Sequence, residues 1–399
     1  LKKQFGFYKG IRHFSSDNEL HTDDSKIIYY RRKKENETGI TDTDGNETGF
    51  VKEELKDVSD KPLFSHEPCA EDVCQNGLGD CWLLGTIAAL VEKNPEYIKD
   101  MMEDRGDKVI VRLHNKKNKE VFVSVHKSVP KYTDGSALWV RMIEKAITAS
   151  SLMEEVRGYT AQVADSFRKK IANDPTGQLK DNHSVKAILD LHDTKALAQK
   201  TAEGKAQGKE FGRTYYSLTG GERDTAFQLL TGKQSQETLY VLGKEKGEDK
   251  EDIKKMLDLS DKEMMERYGE RINELIRTIE ERQNDKENKY VMIAGSYAFN
   301  TSERSGEAGE NFRRGAAGPH MYTLLGVVEK DGKKMIKLRN PWGTGKVTYI
   351  TQQATGIKVP VMGDELDTGT FLMEINDFAV CFKAVDMIKL TNEKQDRKV

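Results

Sequence analysis

The stretch Gln75-Asn76-Gly77-Leu78-Gly79-Asp80-Cys81-Trp82-Leu83-Leu84 constrains this chain more than any other, because it sets one cysteine between a glycine-rich turn and an apolar run. Gly77 and Gly79 permit a tight backbone. Asp80 is a good N-cap, which makes Cys81 the first residue of a helix. There the unpaired N–H groups and the positive end of the helix dipole favour thiolate over thiol. The run Trp82 to Val91 is apolar on nearly every side and ends at Asn94-Pro95, so it predicts a short helix buried in a core. By itself Cys81 also fits a small buried hydrophobe, as most free cysteines do. A nucleophilic reading requires a base and a group that orients the base, both from elsewhere in the chain.

The C-terminal part offers both. Gly318-Pro319-His320 opens a β-rich run from Tyr322 to Val328, and a second run, Lys334 to Arg339, leads into Asn340-Pro341-Trp342-Gly343. Lys330-Asp331-Gly332 between them signals a turn. A two-residue Asp331-Gly332 turn pairs 330 with 333, sets His320 opposite Gly343 and sends His320 and Asn340 to opposite faces. A three-residue loop with Gly332 in a G1 bulge pairs 329 with 333 and sets His320 opposite Trp342, with Asn340 a same-face diagonal neighbour. The expectation is therefore the three-residue loop.

These segments, Gln75…Gly79-Asp80-Cys81-Trp82, Gly318-Pro319-His320 and Arg339-Asn340-Pro341-Trp342-Gly343, resemble the active-site motifs of the calpain family of papain-like cysteine proteases. Leu138-Trp139…Glu144-Lys145-Ala146, Leu218-Thr219-Gly220-Gly221…Leu230-Thr231-Gly232 and Gly369-Thr370-Phe371…Asp377-Phe378 resemble further family segments. The resemblance implies Cys81 as nucleophile, His320 as general base and acid, and Asn340 as the group orienting the imidazole. It implies Gln75 as side-chain donor of the oxyanion hole and Trp342 as the shield of the His–Asn pair. Pro319 departs from the family pattern, which more often has glycine before the histidine.

The implied fold is α+β, a papain-like two-subdomain core with a helical half carrying the cysteine and a β-rich half carrying histidine and asparagine. The expected division is a polar, flexible or loosely docked N-terminal extension over 1–60, a first subdomain over 61–243 with Cys81 and a helical insertion at about 155–210, and a second over 244–399 with His320 and Asn340. Within these, Lys108 to Leu113 and Glu120 to Val125 predict a surface hairpin, and Met142 to Ala149 a helix. Tyr268, Ile272, Leu275, Ile276 and Ile279 lie at helical spacing and predict a helix packed on its own domain.

A net charge of -2 across 399 residues supplies no basic field for nucleic acid, and no run is long enough for a membrane helix. Four cysteines are too few for a disulfide scaffold. The expected setting is soluble and cytoplasmic, with secretion the alternative. The expected partners are protein substrates, either other proteins or the parent chain, with no nucleic acid and no membrane insertion.

No cofactor and no calcium dependence are expected. The resemblance implies calcium ligands in a loop after the NPWG motif and between the two Gly-rich pieces. Here the first place holds Thr344-Gly345-Lys346, and the late positions of the second hold Ala226-Phe227-Gln228-Leu229-Leu230, without carboxylates; only Glu222 and Asp224 remain there, too early to match. If calcium acts, Asp42, Asp44, Asp364 and Glu365 are the fallback ligands. The stretch Asp42-Thr43-Asp44-Gly45-Asn46 has oxygen ligands at calcium-loop spacing, but Glu47 stands where such a loop needs glycine, so it predicts a solvated acidic turn. Two rival readings are a catalytically silent calpain-like scaffold and a zinc-binding interaction module on His66-x-x-Cys69-x4-Cys74. The zinc spacing is irregular, and a zinc-bound Cys81 would not be free to attack.

Overall fold

The structure is a computed structural model, and it describes residues 20–75, 77–131, 135–206, 208, 211–242, 259–297, 311–313, 316–344, 347–351, 358–362 and 368–390. It divides into two compact units. One comprises Leu1–Asp72, Asn76–Asp80 and Pro95–Lys233; the other comprises Val73–Gln75, Cys81–Asn94 and Gln234–Val399. The sequence reading puts the division at 243/244 and Cys81 in the earlier part; here the division falls at 233/234 and the Cys81 helix groups with the later strands. The helix is the reason: apolar on every side, it is buried against the strands Lys289–Ser296 and Met321–Lys330.

In the first unit a four-stranded sheet has the order Leu20–Asp23, Glu120–His126, Lys108–His114, Met102–Asp104. The hairpin expected at the surface forms its two central strands. Their runs of β-branched residues are buried almost throughout, as expected for strands covered on both faces. The helix expected over Met142 to Ala149 spans Leu138–Ala149. The region about 155–210 is helical, with Ala161–Ala172, His183–Lys200 and Ala202–Ala206.

The N-terminal extension expected to be loose is built into this unit over its described part. Ile27–Arg32 pairs in parallel with Phe211–Arg213 and antiparallel with Phe50–Lys52. Ile28, Tyr30 and Phe50 pack with Leu197 and Ala198. The polar composition hid the short apolar run Ile27-Ile28-Tyr29-Tyr30, which is fully buried. The acidic turn is a turn: the Asp42 carboxylate accepts from the backbone N–H groups of Asp44 and Asn46.

The second unit is built on a six-stranded antiparallel sheet in the order Glu237–Tyr240, Phe382–Leu390, Lys289–Ser296, Met321–Lys330, Lys333–Arg339, Thr370–Glu374. The helix Asp261–Asn284 starts with a capping box, Ser260 and Glu263 exchanging bonds. Its expected stripe is buried, with Ile272, Leu275, Ile276 and Ile279 against Tyr322, Leu324, Val327 and Ile336 of the sheet. Among the described residues no helix is long and apolar enough to cross a membrane.

The hairpin Met321–Lys330/Lys333–Arg339 corrects the expected turn. Lys330 pairs with Lys333, so the turn has two residues, and Asp331 and Gly332 take φ of 51° and 71°. That is the mirror-image turn whose twist matches the strands. The ladder then runs to Gly326 opposite Lys337 and slips by one residue, so that Leu324 pairs with Leu338 and Thr323 with Arg339. The extra residue, Leu325, is a β-bulge. Continued beyond the ladder, the shifted register sets His320 opposite Trp342, the relation the three-residue loop was meant to supply.

The bulge is held by the long helix. Gln283 accepts from the Val327 N–H through Oε1 at 2.7 Å, and Gly326 has φ of 132°. A Cβ at Gly326 would lie 2.2 Å from the Gln283 Oε1; at Gly332 it would meet nothing within 4 Å. Both glycines have positive φ, so alanine at either is strained by about 1–2 kcal/mol. Gly326→Ala should cost about 1–3 kcal/mol more than Gly332→Ala, because it also displaces Gln283 from the bulge. Denaturant unfolding of the two variants checks this, and equal losses would mean that the bulge does not depend on Gln283.

Candidate active site

Gln75, Cys81, His320, Asn340 and Trp342 all lie in the second unit. The helix starts at Cys81 and ends at Lys93, just before Asn94-Pro95. Cys81 is partly exposed, while Trp82, Leu83, Leu84 and Ile87 behind it are buried. The helix is anchored through its backbone: Thr323, fully buried, donates from Oγ1 to the Gly85 carbonyl at 2.7 Å. Gly85 faces Met321, and a Cβ there would make ordinary contact at 3.5 Å. The strand that begins directly after His320 thus carries the helix that begins with Cys81.

His320 and Asn340 meet. The imidazole Nε2 lies 2.8 Å from the Asn340 Oδ1. The Trp342 N–H also donates to that oxygen, at 3.1 Å, and an atom accepting from a backbone N–H must be the carbonyl oxygen of the amide. Nε2 therefore carries the hydrogen and donates it, which leaves Nδ1 as the basic nitrogen of the neutral ring. Asn340 is held in turn: its N–H donates to the Gly369 carbonyl at 2.8 Å, and a Cβ on Gly369 would come within 2.7 Å of the Asn340 carbonyl oxygen. Trp342 covers the imidazole with ring centroids 4.6 Å apart, and Tyr322 meets it edge-on at 4.9 Å.

Gln75 is placed by backbone bonds. Its N–H donates to the Pro341 carbonyl at 2.7 Å, and the buried Arg339 donates from Nη2 to the Val73 carbonyl at 2.8 Å. The segment 73–75 is thus tied on both sides of Asn340. Gly343, at φ 71°, leaves room for Cys74, whose Sγ would lie 2.6 Å from a Cβ at that position.

Sequence reasoning missed Ser296, Gln283 and the role of Arg339. Ser296 fixes the backbone of His320: its Oγ accepts from the His320 N–H at 2.9 Å, and its own N–H donates to the His320 carbonyl at 2.9 Å. No local pattern marks Ser296 or Gln283. Gly326 inside a run of β-formers did carry a signal, since an isolated glycine in a strand suggests a bulge. The Gly318–Pro319 peptide, where the chain departs from the family pattern, is cis.

Asp80, next to Cys81, is buried in the first unit. Burial, then the adjacent Asp80 carboxyl, hold the Glu144 carboxyl well above the usual range. Of the segments where calcium ligands were expected, Arg223–Thr231 is a helix with Phe227, Leu229 and Leu230 buried. Gly345, Lys346, Asp364 and Glu365 lie outside the described residues.

Residues 200–389 match the sequence model of the calpain family cysteine protease. That segment of the chain belongs to the calpain family of cysteine proteases. The match includes His320, Asn340, Trp342 and the six-stranded sheet except for Leu390, and the family accounts for the α+β architecture around them. Cys81 lies outside the matched segment, on the helix that this calpain-type sheet carries.

Burial, offset in part by the bond to Asn340, pushes His320 down from 6.5 to about 4. Below pH 6.5 the unfolded chain takes up a proton that the folded imidazole refuses until about pH 4, so stability falls as pH drops through that window and is retained above it. The expected loss is about 3 kcal/mol at pH 4, read in Cys81→Ser protein so that no thiolate can pair with the ring. His320→Gln in that background should flatten the dependence by the same amount. An unchanged slope in denaturant titrations across this range would show that His320 is hydrated.

Proposed function

We propose that the chain is a cysteine endopeptidase in which Cys81 is the nucleophile, His320 the general base and acid, and Asn340 the orienting group. The observation that carries this reading is the His320–Asn340 bond under Trp342, which turns Nδ1 into the available base while a cysteine starts the helix carried by the same strand. Asn340 is a neutral partner, so a buried imidazolium receives no carboxylate charge there. The Cys81 thiolate is the counter-charge that makes protonation of His320 affordable, and the two ionise together. The helix N-terminus assists the thiolate side of that transfer.

In the cycle, the Cys81 thiolate attacks the peptide carbonyl carbon and a C–S bond forms. The oxyanion is met by the Cys81 N–H and the Gln75 side chain. The His320 imidazolium gives its proton to the departing amine as the C–N bond breaks, leaving a thioester. Water, deprotonated by His320, then attacks the thioester, releases the acid and returns the thiol. Substrates are extended segments of other proteins or of the parent chain, and turnover proceeds without calcium, since Ala226 to Leu230 and Thr344 supply no carboxylate.

Cys81→Ala should abolish peptide hydrolysis with unfolding unchanged; retained hydrolysis would remove the nucleophile assignment. Gln75→Ala should keep Cys81 alkylation by an active-site probe while lowering kcat by about 10²–10³-fold. A folded protein whose Cys81 is not labelled would instead be a silent scaffold. Hydrolysis rates in chelator and in millimolar calcium should be equal, and a rate lost in chelator and restored by calcium alone would overturn the calcium-independent reading.

A further inference from the structure

His66, Cys69 and Asp72 converge in the first unit, and none of them is among the residues assigned to catalysis. The His66 Nε2 lies 2.7 Å from the Asp72 Oδ1 and 4.0 Å from the Cys69 Sγ, and the three ligand atoms lie within 4.8 Å of one another. The sequence reading grouped His66 and Cys69 with Cys74; the structure replaces Cys74 with Asp72, which the short 3-10 turn Ala70–Asp72 swings back onto the pair. That substitution removes the objection from irregular spacing. It also leaves Cys81 out of the ligand set.

We infer that His66, Cys69 and Asp72 form a binding site for one zinc-class divalent cation, separate from the active site. Imidazole, thiolate and carboxylate are the donors such ions take, whereas calcium and magnesium require oxygen. Bonds of about 2.0–2.3 Å set ligand atoms about 3.3–3.8 Å apart in a tetrahedron, so the His66–Asp72 separation must open and the His66–Cys69 separation close by about half an ångström, and the Cys69–Asp72 separation, within 4.8 Å, must close by about 1 Å at most. The His66 side chain is 55% exposed, so it can make that adjustment and keeps the site in contact with solvent. An outer shell is already in place. His66 is oriented from behind by Ser65, whose Oγ lies 2.9 Å from Nδ1. Asp72 keeps Oδ1 aimed inward because Oδ2 accepts from the Trp139 Nε1 at 2.9 Å and from the Cys69 N–H at 3.1 Å.

The charge at the site also calls for a cation. The cluster Asp23, Asp24 and His126 offers a contrast, because there the Lys145 ammonium already sits 2.9 Å from Asp24. Among the described residues the ionic partner of Asp72 is His66 alone. On binding, Cys69 loses its thiol proton to solvent and the S–metal bond replaces it, which staples residues 66–72 to the helix Leu138–Ala149 through Asp72 and Trp139.

Cobalt(II) titration of the Cys81→Ser protein tests the site without relying on activity. The expected result is one tetrahedral cobalt per chain with a thiolate-to-metal charge-transfer band, displaced by an equivalent of zinc. Cys69→Ser should eliminate the band and His66→Gln should weaken binding at least about tenfold, both with unchanged far-ultraviolet circular dichroism. Absence of the band in the Cys81→Ser protein, its survival in Cys69→Ser, or its loss in Cys74→Ser in place of Cys69→Ser would overturn the assignment.

Discussion

One extra residue in one strand governs the geometry of the candidate site. The Asp331-Gly332 turn starts the hairpin in a register that would carry His320 past Asn340, and the bulge at Leu325 shifts it by one position before the strand reaches the site. A strand has a side-chain period of two, so that single residue decides whether the imidazole and the amide face each other. The bulge in turn needs a glycine of positive φ at 326 and the Gln283 acceptor brought by the long helix. The helix packed on the sheet therefore supports, through one hydrogen bond at Val327, the pairing of His320 with Asn340.

The same strand joins the two ends of the proposed chemistry. Thr323 binds the carbonyl of Gly85 on the Cys81 helix, and Arg339, its partner across the ladder, binds the carbonyl of Val73 near Gln75. Two adjacent buried side chains thus hold the nucleophile segment and the oxyanion segment by their backbones. Both anchors act on backbone carbonyls and not on the side chains of Gln75 and Cys81. They also explain why a helix near the start of the chain belongs structurally with strands more than two hundred residues later.

Burial sets the electrostatic terms. His320 is shielded by Trp342 and Tyr322 and partnered by a neutral amide, an environment that disfavours a lone positive charge. It suits a base that is charged only together with a thiolate. The cluster of His66, Cys69 and Asp72 differs, since its imidazole is half-exposed and is partnered by a carboxylate.

Much was legible in the sequence because it is local. The glycine-rich turn before Cys81, the apolar helix ending ahead of Pro95, the helical stripe from Tyr268 to Ile279 and the three motif segments each depend on residues a few positions apart, where propensity and periodicity act directly. Short-range signals misled where tertiary packing could override them. The run Ile27 to Tyr30 lay inside polar text and became a buried strand because Phe211–Arg213, far along the chain, supplies its partner. The hairpin 108–126 was placed at the surface, although strands on either side enclose it. The bulge, the Ser296 and Gln283 contacts and the replacement of Cys74 by Asp72 beside His66 were decided only in the folded chain. Each depends on the relative placement of segments that share no local pattern, and that placement is set by packing.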